Sequence, residues 1–536
     1  LTLDASGTAT FSGSGLTLGA VSNANTADDA LLFNAGSGTV TLTSLGGSGK
    51  TRFASNASIG TLSAGTVTID GSAISVTTLN GGALTLGTAT LTASAGSFGG
   101  SIAGSGIFTK DSAGTLTLSA ASTYTGATTV SAGVLAVAHA DALGTSAAGT
   151  SVTSGAELRL QGGITIASEA VTLNGTGVSA GGALRNLSAN NALAGAITLA
   201  SASRINSDAG TLTLTGGVSS TDLGLTVGGA GNVTIDTTGL SLGTGALTKD
   251  GAGTLLLAIA NTYSGATTIS AGTLKIGNAL SLGTSAVSVA SGATLDLNGV
   301  TGFTNSITLT DGATLTGGSL PTTRIPTTGV LNVEITGSAT LAKTDAGRLE
   351  LTGANTFTGA TNVSAGTIAV SDFGNGTTAS PLGVTDLSDP SKLLLVGAGG
   401  AKPVLEFTGA TGATTARSFT VGGDGAGISA GSGAGALVFT SAAKINLTNA
   451  EAEFKLVANT SAENRFEATL AENSPGLKNV KIDGTGQWVV AGPANRVAGD
   501  FRLDVAGGTL KFESGALGTG NTYASSVIAV SNGAGL

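Results

Sequence analysis

Three stretches of this chain align with one another without a gap. They are TKDSAGTLTLSAASTYTGATTVSAGVLAV at 109–137, TKDGAGTLLLAIANTYSGATTISAGTLKI at 248–276, and AKTDAGRLELTGANTFTGATNVSAGTIAV at 342–370. Each carries a lysine at its second position (Lys110, Lys249, Lys343), with a glycine four residues later (Gly114, Gly253, Gly347). An aromatic residue follows fourteen after the lysine (Tyr124, Tyr263, Phe357), and glycines come sixteen and twenty-three after it. A degenerate fourth copy runs over 481–512, from Lys481 to Phe512, with Trp488 at a strand position and Val497 where the aromatic belongs. Repetition of this kind restricts the fold more than any other feature. A short unit cannot bury its own apolar face, so copies must stack to make a core.

The residues between the landmarks say what is stacked. Short bursts alternate apolar residues with Thr or Ser at Thr39–Leu42, Val67–Ile69, Ala83–Leu86, Ala156–Leu160, Thr211–Leu214 and Ala293–Leu297. Alternation with period two predicts strands with one buried face. Asp70-Gly71, Asn174-Gly175 and Asn298-Gly299 are turn signals between such bursts. No stretch of ten residues shows helical periodicity. The 41% hydrophobic content argues against disorder, and 4% aromatic content argues against one large globular core. A β-sandwich also has short strands and turns, but would not run to 536 residues with so few aromatics. The expected fold class is therefore all-β: an elongated rod built as a parallel β-solenoid. Coils of about 20–27 residues give roughly 20 to 27 rungs. At about 4.8 Å per rung the rod would be on the order of 95–130 Å long.

The pattern K-D-G-x-G-T-L-x-L-x-G-x-N-T-Y-x-G-x-T-x-V-x-x-G-T-L, met closely in all three strong copies, resembles the autotransporter-associated β-strand repeat, also called the passenger-associated transport repeat. Two copies are followed by a further piece that resembles the same family, ALGTSAAGTSVTSGAELRL at 142–160 and SLGTSAVSVASGATLDLNG at 281–299. The third departs from it: Ser371–Pro390 reads SDFGNGTTASPLGVTDLSDP. The resemblance implies a passenger domain, a right-handed parallel β-helix (β-solenoid) on the outside of a Gram-negative bacterium. It also implies a C-terminal outer-membrane barrel lying outside this segment, although such repeats also occur in large surface proteins without one. Residues 1–536 are expected to form a single continuous solenoid segment of a larger protein, cut or processed at Leu1. All seven prolines lie at Pro321 or beyond, so 321–536 is expected to be a less regular part with longer loops.

Several kinds of chemistry are excluded or weakened. The chain has no cysteine, so disulfides, thiolate metal sites and cysteine nucleophiles are ruled out. Net charge is −9 and the 22 basic residues are scattered, which argues against nucleic acid. No run of 18 apolar residues is present, so no membrane span is expected within the segment. GGSGKT at Gly46–Thr51 resembles the end of a phosphate loop, but Ser44 stands where a glycine is required. It reads as a Gly-rich turn. GGAGNVTID at Gly228–Asp236 has Val233 where a calcium-binding nonapeptide needs aspartate. His139 is the only histidine and reads as an exposed turn residue; GVSAG at Gly177 and GISAG at Gly427 lack the following helix of a nucleophile elbow. Glu451 and Glu453 share one strand face as solvated charge.

The recurring side chains read as structural. Tyr124, Tyr263 and Phe357 are expected to pack at a corner of each unit rather than to form a sugar-stacking ladder. Lys110, Lys249 and Lys343, with Asp111, Asp250 and Asp345, are expected to make exposed turn contacts of little energetic value. No catalytic, cofactor-binding or metal-ligating residue is assigned, no cofactor is expected, and no RGD tripeptide offers a receptor. Two functions remain. One is a cell-surface adhesin or stalk, non-catalytic, engaging an unknown glycan or protein ligand through many weak contacts. The other is a structural protein that self-associates into an extracellular filament, sheath or surface layer. A glycan hydrolase needs a cleft with clustered carboxylates, which the sequence does not show.

Overall fold

The computed structural model describes residues 2–3, 9–13, 15–27, 31–63, 65–310, 313–321, 328–338, 340–374, 376–448, 453–472, 478–491, 501–512 and 527–530. These residues form parallel strands with no α-helix; the helical elements are single 3-10 turns such as Val178–Ala180 and Pro390–Lys392. The chain divides into two compact units, Leu1–Ser285 and Ala286–Leu536. Each is a parallel β-solenoid.

In the first unit strands pair in parallel with strands of the neighbouring coils. Within the first repeat, Phe108–Lys110 lies beside Thr128–Val130, and Thr115–Leu118 beside Val134–Val137. One repeat thus supplies two strands in each of two successive coils. This explains why the landmarks recur together: the aromatic and the glycines sit in the turns that bring the chain back onto itself. A column of aliphatic residues runs up one face through Leu116, Leu135, Leu158, Leu184, Ile205 and Val227 in register. A second face carries Thr150–Val152, Val171–Leu173 and Ile197–Leu199, and a third carries Asn191–Leu193, Thr211–Leu214 and Asn232–Ile235.

The predicted alternation is met where it was expected. Ala83–Leu86 and Thr211–Leu214 are strands with those bounds, and Thr39–Leu42 opens the longer strand Thr39–Gly46. Leu212 and Leu214 are buried, while the threonines between them face outward. Full burial of each such side chain contributes about 1.5–3 kcal/mol, gained only when the next coil covers it. The coil length varies more than expected. Ala57 pairs with Ile74, only 17 residues on, whereas Leu158 pairs with Leu184, 26 residues on. The short coils near the start alternate two strand positions, and the longer ones add a third face.

In the second unit, Leu341–Lys343, Thr361–Val363, Leu393–Gly397, Phe419–Gly423 and Lys444–Leu447 pair in succession. Arg348–Leu351, Thr367–Val370, Val404–Phe407 and Gly425–Ala430 form the neighbouring face. Phenylalanines cluster in its interior. Phe439 packs edge-on against Phe373 at 5.6 Å between ring centres and lies 6.0 Å from Phe466. Thr367 pairs with Val404, 37 residues on, because Ser371–Lys392 makes a long excursion before the strand at Leu393. The excursion is tied down from inside: Arg417, 2% exposed, donates from Nε to Phe373 O at 2.8 Å and from Nη1 to Thr385 Oγ1 at 2.7 Å.

Asn298-Gly299 is a turn of the kind the sequence implies, with φ of 51° and 76°, a left-handed pair that Asn and Gly tolerate. In the degenerate copy Trp488 is buried in the strand Gln487–Val490, and Ile482 takes the inward position beside half-buried Lys481. Val497, Glu451, Leu1 and Leu536 lie outside the described residues.

Candidate functional site

The lysines of the repeat are not where the sequence placed them. Lys110 ends the strand Phe108–Lys110, and side chains two apart on a strand share a face. Phe108 points inward, so Lys110 does too. Lys110, Lys249 and Lys343 are all buried, at 0%, 2% and 0% exposure. The expectation of exposed Lys–Asp pairs is therefore overturned by strand parity. Each ammonium is satisfied by backbone carbonyls. Lys249 Nζ donates to Asp250 O at 2.7 Å and Gly251 O at 2.8 Å in its own turn, and to Ala271 O at 3.2 Å in the turn stacked on it. Lys110 donates likewise to Ser112 O and, at 3.0 Å, to Ala132 O. Lys343 donates to Asp345 O and also to the Asp345 carboxylate. In the first two copies the lysine clips one turn to the next. Burial pushes the Lys249 ammonium down to about 8, opposed by the Asp250 charge and reinforced by Arg204; burial also lowers Lys110, against the pull of Asp111.

The aromatic residue completes the corner, as expected. Tyr124, Tyr263 and Phe357 are fully buried. The Tyr124 hydroxyl shares a hydrogen bond with Thr128 Oγ1 at 2.6 Å, and Tyr263 with Thr267 Oγ1 at 2.7 Å. Desolvation pushes the Tyr263 phenol up to about 12 and raises Tyr124 further still. These rings have no face open to a ligand.

A third element of the corner was not seen in the sequence. Asn261 accepts from Leu240 N–H on one side at 2.6 Å, and its amide donates to Ser281 O on the next coil. In the second unit Asn355 accepts from Ile335 N–H at 2.8 Å and donates to Pro381 O at 2.7 Å. One asparagine side chain thereby spans three coils. The first repeat has Ser122 here, whose Oγ accepts from Ile102 N–H at 3.2 Å but which has no amide to send onward.

Beside Ser122 lies a cleft of about 390 Å³. Its walls are Ala121–Thr123, the turn around Asp141–Ser146, and Ile166–Glu169 from the following coil. The Glu169 carboxylate is buried, at 4% residue exposure, and accepts from Thr150 Oγ1 at 2.7 Å. Burial raises its pKa and the Thr150 hydroxyl partly opposes this. His139 sits in an exposed turn, as expected, with Nδ1 accepting from Asp141 N–H at 3.1 Å.

Charged side chains elsewhere on the first unit are organised in a ladder. Arg159 and Arg185 stack in register, and both reach Glu157, at 2.5 and 3.5 Å; Arg185 also pairs with Asp208 at 2.5 Å. Arg204 grips Asp250 with both terminal nitrogens, at 2.6 and 2.8 Å, across an intervening coil. That reach depends on Gly228, where an added Cβ would collide with Asp250 Oδ1 and Arg204 Nη2.

The remaining motifs take up structural places. Lys50 of GGSGKT begins the strand Lys50–Phe53, so no helix N-terminus follows the glycines. GVSAG forms the 3-10 turn at Val178–Ala180, and GISAG spans the end of the strand Gly425–Ala430, with Ser429 buried. Val233 is a core residue of Asn232–Ile235. Glu453 pairs with Lys402 at 3.0 Å. Among the described residues no group of three or more His, Asp or Glu side chains could hold a metal ion, and no helix is long and apolar enough to cross a membrane.

Parallel coils closed by this corner define a repeat-built parallel β-solenoid. The family model described as passenger-associated-transport-repeat matches residues 108–137, 247–276 and 341–370, so the chain carries three of these repeats. It is 33% identical over 300 residues to the Adhesin BmaC autotransporter of Brucella suis biovar 1 (strain 1330). The match covers 52% of this chain but only 8% of that protein. No solved structure matches the chain.

Proposed function

We propose that this segment is displayed at the surface of a Gram-negative bacterium as a non-catalytic adhesin or stalk. The observation that carries the reading is the similarity to an adhesin autotransporter, together with the three matched passenger repeats. The placement of polar side chains supports it. The repeat lysines and tyrosines serve the interior, and many charged groups outside are paired with one another along stacked coils. What such a scaffold offers a partner is a long repetitive surface, on which weak contacts add through avidity.

The test is made on the cells that produce the protein. Antibody against this segment should label intact, unpermeabilised cells, and in-frame deletion of 109–370 should lower adherence to host-cell monolayers while the remaining protein is still displayed. Absence of surface labelling, or unchanged adherence, would refute the reading. Electron micrographs showing continuous fibres or sheets would replace it with self-assembly.

A further inference from the structure

We propose that the cleft beside Ser122 binds a neutral saccharide residue, held through its hydroxyls by Glu169 and Asp141. The inference rests on the adhesin reading and names a site and a ligand class for it.

The cleft follows from one residue. In the second and third repeats the side chain before Thr-Tyr or Thr-Phe is Asn261 or Asn355, and its amide closes the gap to the next coil. The backbone around all three positions is the same. Ser122 N–H donates to Asp141 O at 3.0 Å, Asn261 N–H to Leu280 O at 3.0 Å, and Asn355 N–H to Ser380 O at 3.1 Å. Only the side-chain bridge is missing at Ser122. Ser122 stands in the wall of the cleft, and an asparagine there would project its amide from that wall. The following coil then brings Glu169 to the same place.

The walls specify the ligand. A pocket of this size is in the range for a small molecule. Glu169 and Asp141 offer carboxylate acceptors, and Ser122, Thr145 and Ser168 offer hydroxyls that both donate and accept. Leu143 and Ile166 supply apolar surface for C–H groups. No Lys or Arg lines the cleft, so anions are disfavoured. Adjacent sugar hydroxyls match this set: they donate to the two oxygens of a carboxylate and accept from Ser and Thr. Glu169 is held in place from behind by Thr150, so it is positioned before any ligand arrives.

The experiment uses the whole chain, with saturation-transfer NMR against methyl α-mannoside, methyl β-galactoside and N-acetylglucosamine. Glucuronate and propylamine serve as charged comparisons. At least one neutral sugar should bind, with a Kd of about 1 mM or tighter. Glucuronate should be weaker than its neutral counterparts. Ser122→Asn should abolish the signal, or weaken binding at least about tenfold. It should melt no lower than the parent, because it restores the bridge that Asn261 makes. Glu169→Gln should weaken binding in the same way. No transfer to any neutral sugar overturns the proposal, as does equal transfer in S122N, preference for glucuronate, or binding of propylamine alone. Surface display and adherence without sugar binding would sink this site and leave the adhesin reading standing. Sugar binding without any effect on adherence would do the reverse.

Discussion

Lys249→Met tests the repeat corner directly. The substitution keeps most of the buried stem and removes the ammonium. Three carbonyls, from Asp250, Gly251 and Ala271, lose their donor. Leaving a buried acceptor unsatisfied costs about 1–3 kcal/mol each. Against this stands relief from burying a charge, which the fall of the lysine pKa from 10.5 to about 8 limits to at most about 3 kcal/mol. The lost hydrogen bonds win, and a net loss of about 2–4 kcal/mol is expected. In a stacked array the damage is local. It should appear in hydrogen exchange as faster exchange at Thr273 and Gly277, whose N–H groups bond to the coil beneath, before it moves the global melt. A pH dependence goes with it. The folded lysine releases its proton at lower pH than the unfolded one, so between about pH 8 and 10.5 the unfolded chain holds more protons and stability rises with pH. The Met variant should lose that rise. Unchanged exchange, or an identical pH profile in the variant, would refute the idea that a buried ammonium clips the turns together.

The charge ladder makes a second prediction. Gly228→Ala should separate Arg204 from Asp250 and cost about 1–3 kcal/mol in urea denaturation, with the loss much smaller in an Arg204→Ala background. Glu169→Gln tests the buried acid. Its raised folded pKa means that its contribution is present below the unfolded pKa and is lost as pH rises through the folded one. The variant should therefore gain stability on the parent as urea melts move from about pH 4 to about pH 7. Tyr263→Phe should cost about 1 kcal/mol in the same assay, because the Thr267 hydroxyl is left buried without its partner.

Much of this was open to reading in the chain itself. The spacing from lysine to aromatic to glycine set the corner, and period-two alternation set the strands at Ala83–Leu86 and Thr211–Leu214. The burial of Lys110 was also within reach, since Phe108 two residues earlier is apolar and shares its face. Treating lysine as a surface residue by type hid that signal. The Ser122 departure from Asn261 and Asn355 is visible in the alignment, yet nothing in it says that a cleft results. Glu169 lies 47 residues beyond Ser122, in a piece that the repeat pattern does not cover.

Periodicity, the parity of each strand and the residues that close each turn are written along the chain, because these depend on neighbours within about one coil. Which side chains meet across coils is settled by the stacking. Coil length varies from 15 to 37 residues, so the partner of a given residue cannot be counted along the chain. Arg204 finds Asp250 two coils away because Gly228 has no side chain between them. Ser122 and Glu169 line one cleft only because the stacked coils bring them together. Stacking converts a long, variable separation in sequence into a contact of a few ångströms, and the candidate site is made of such contacts.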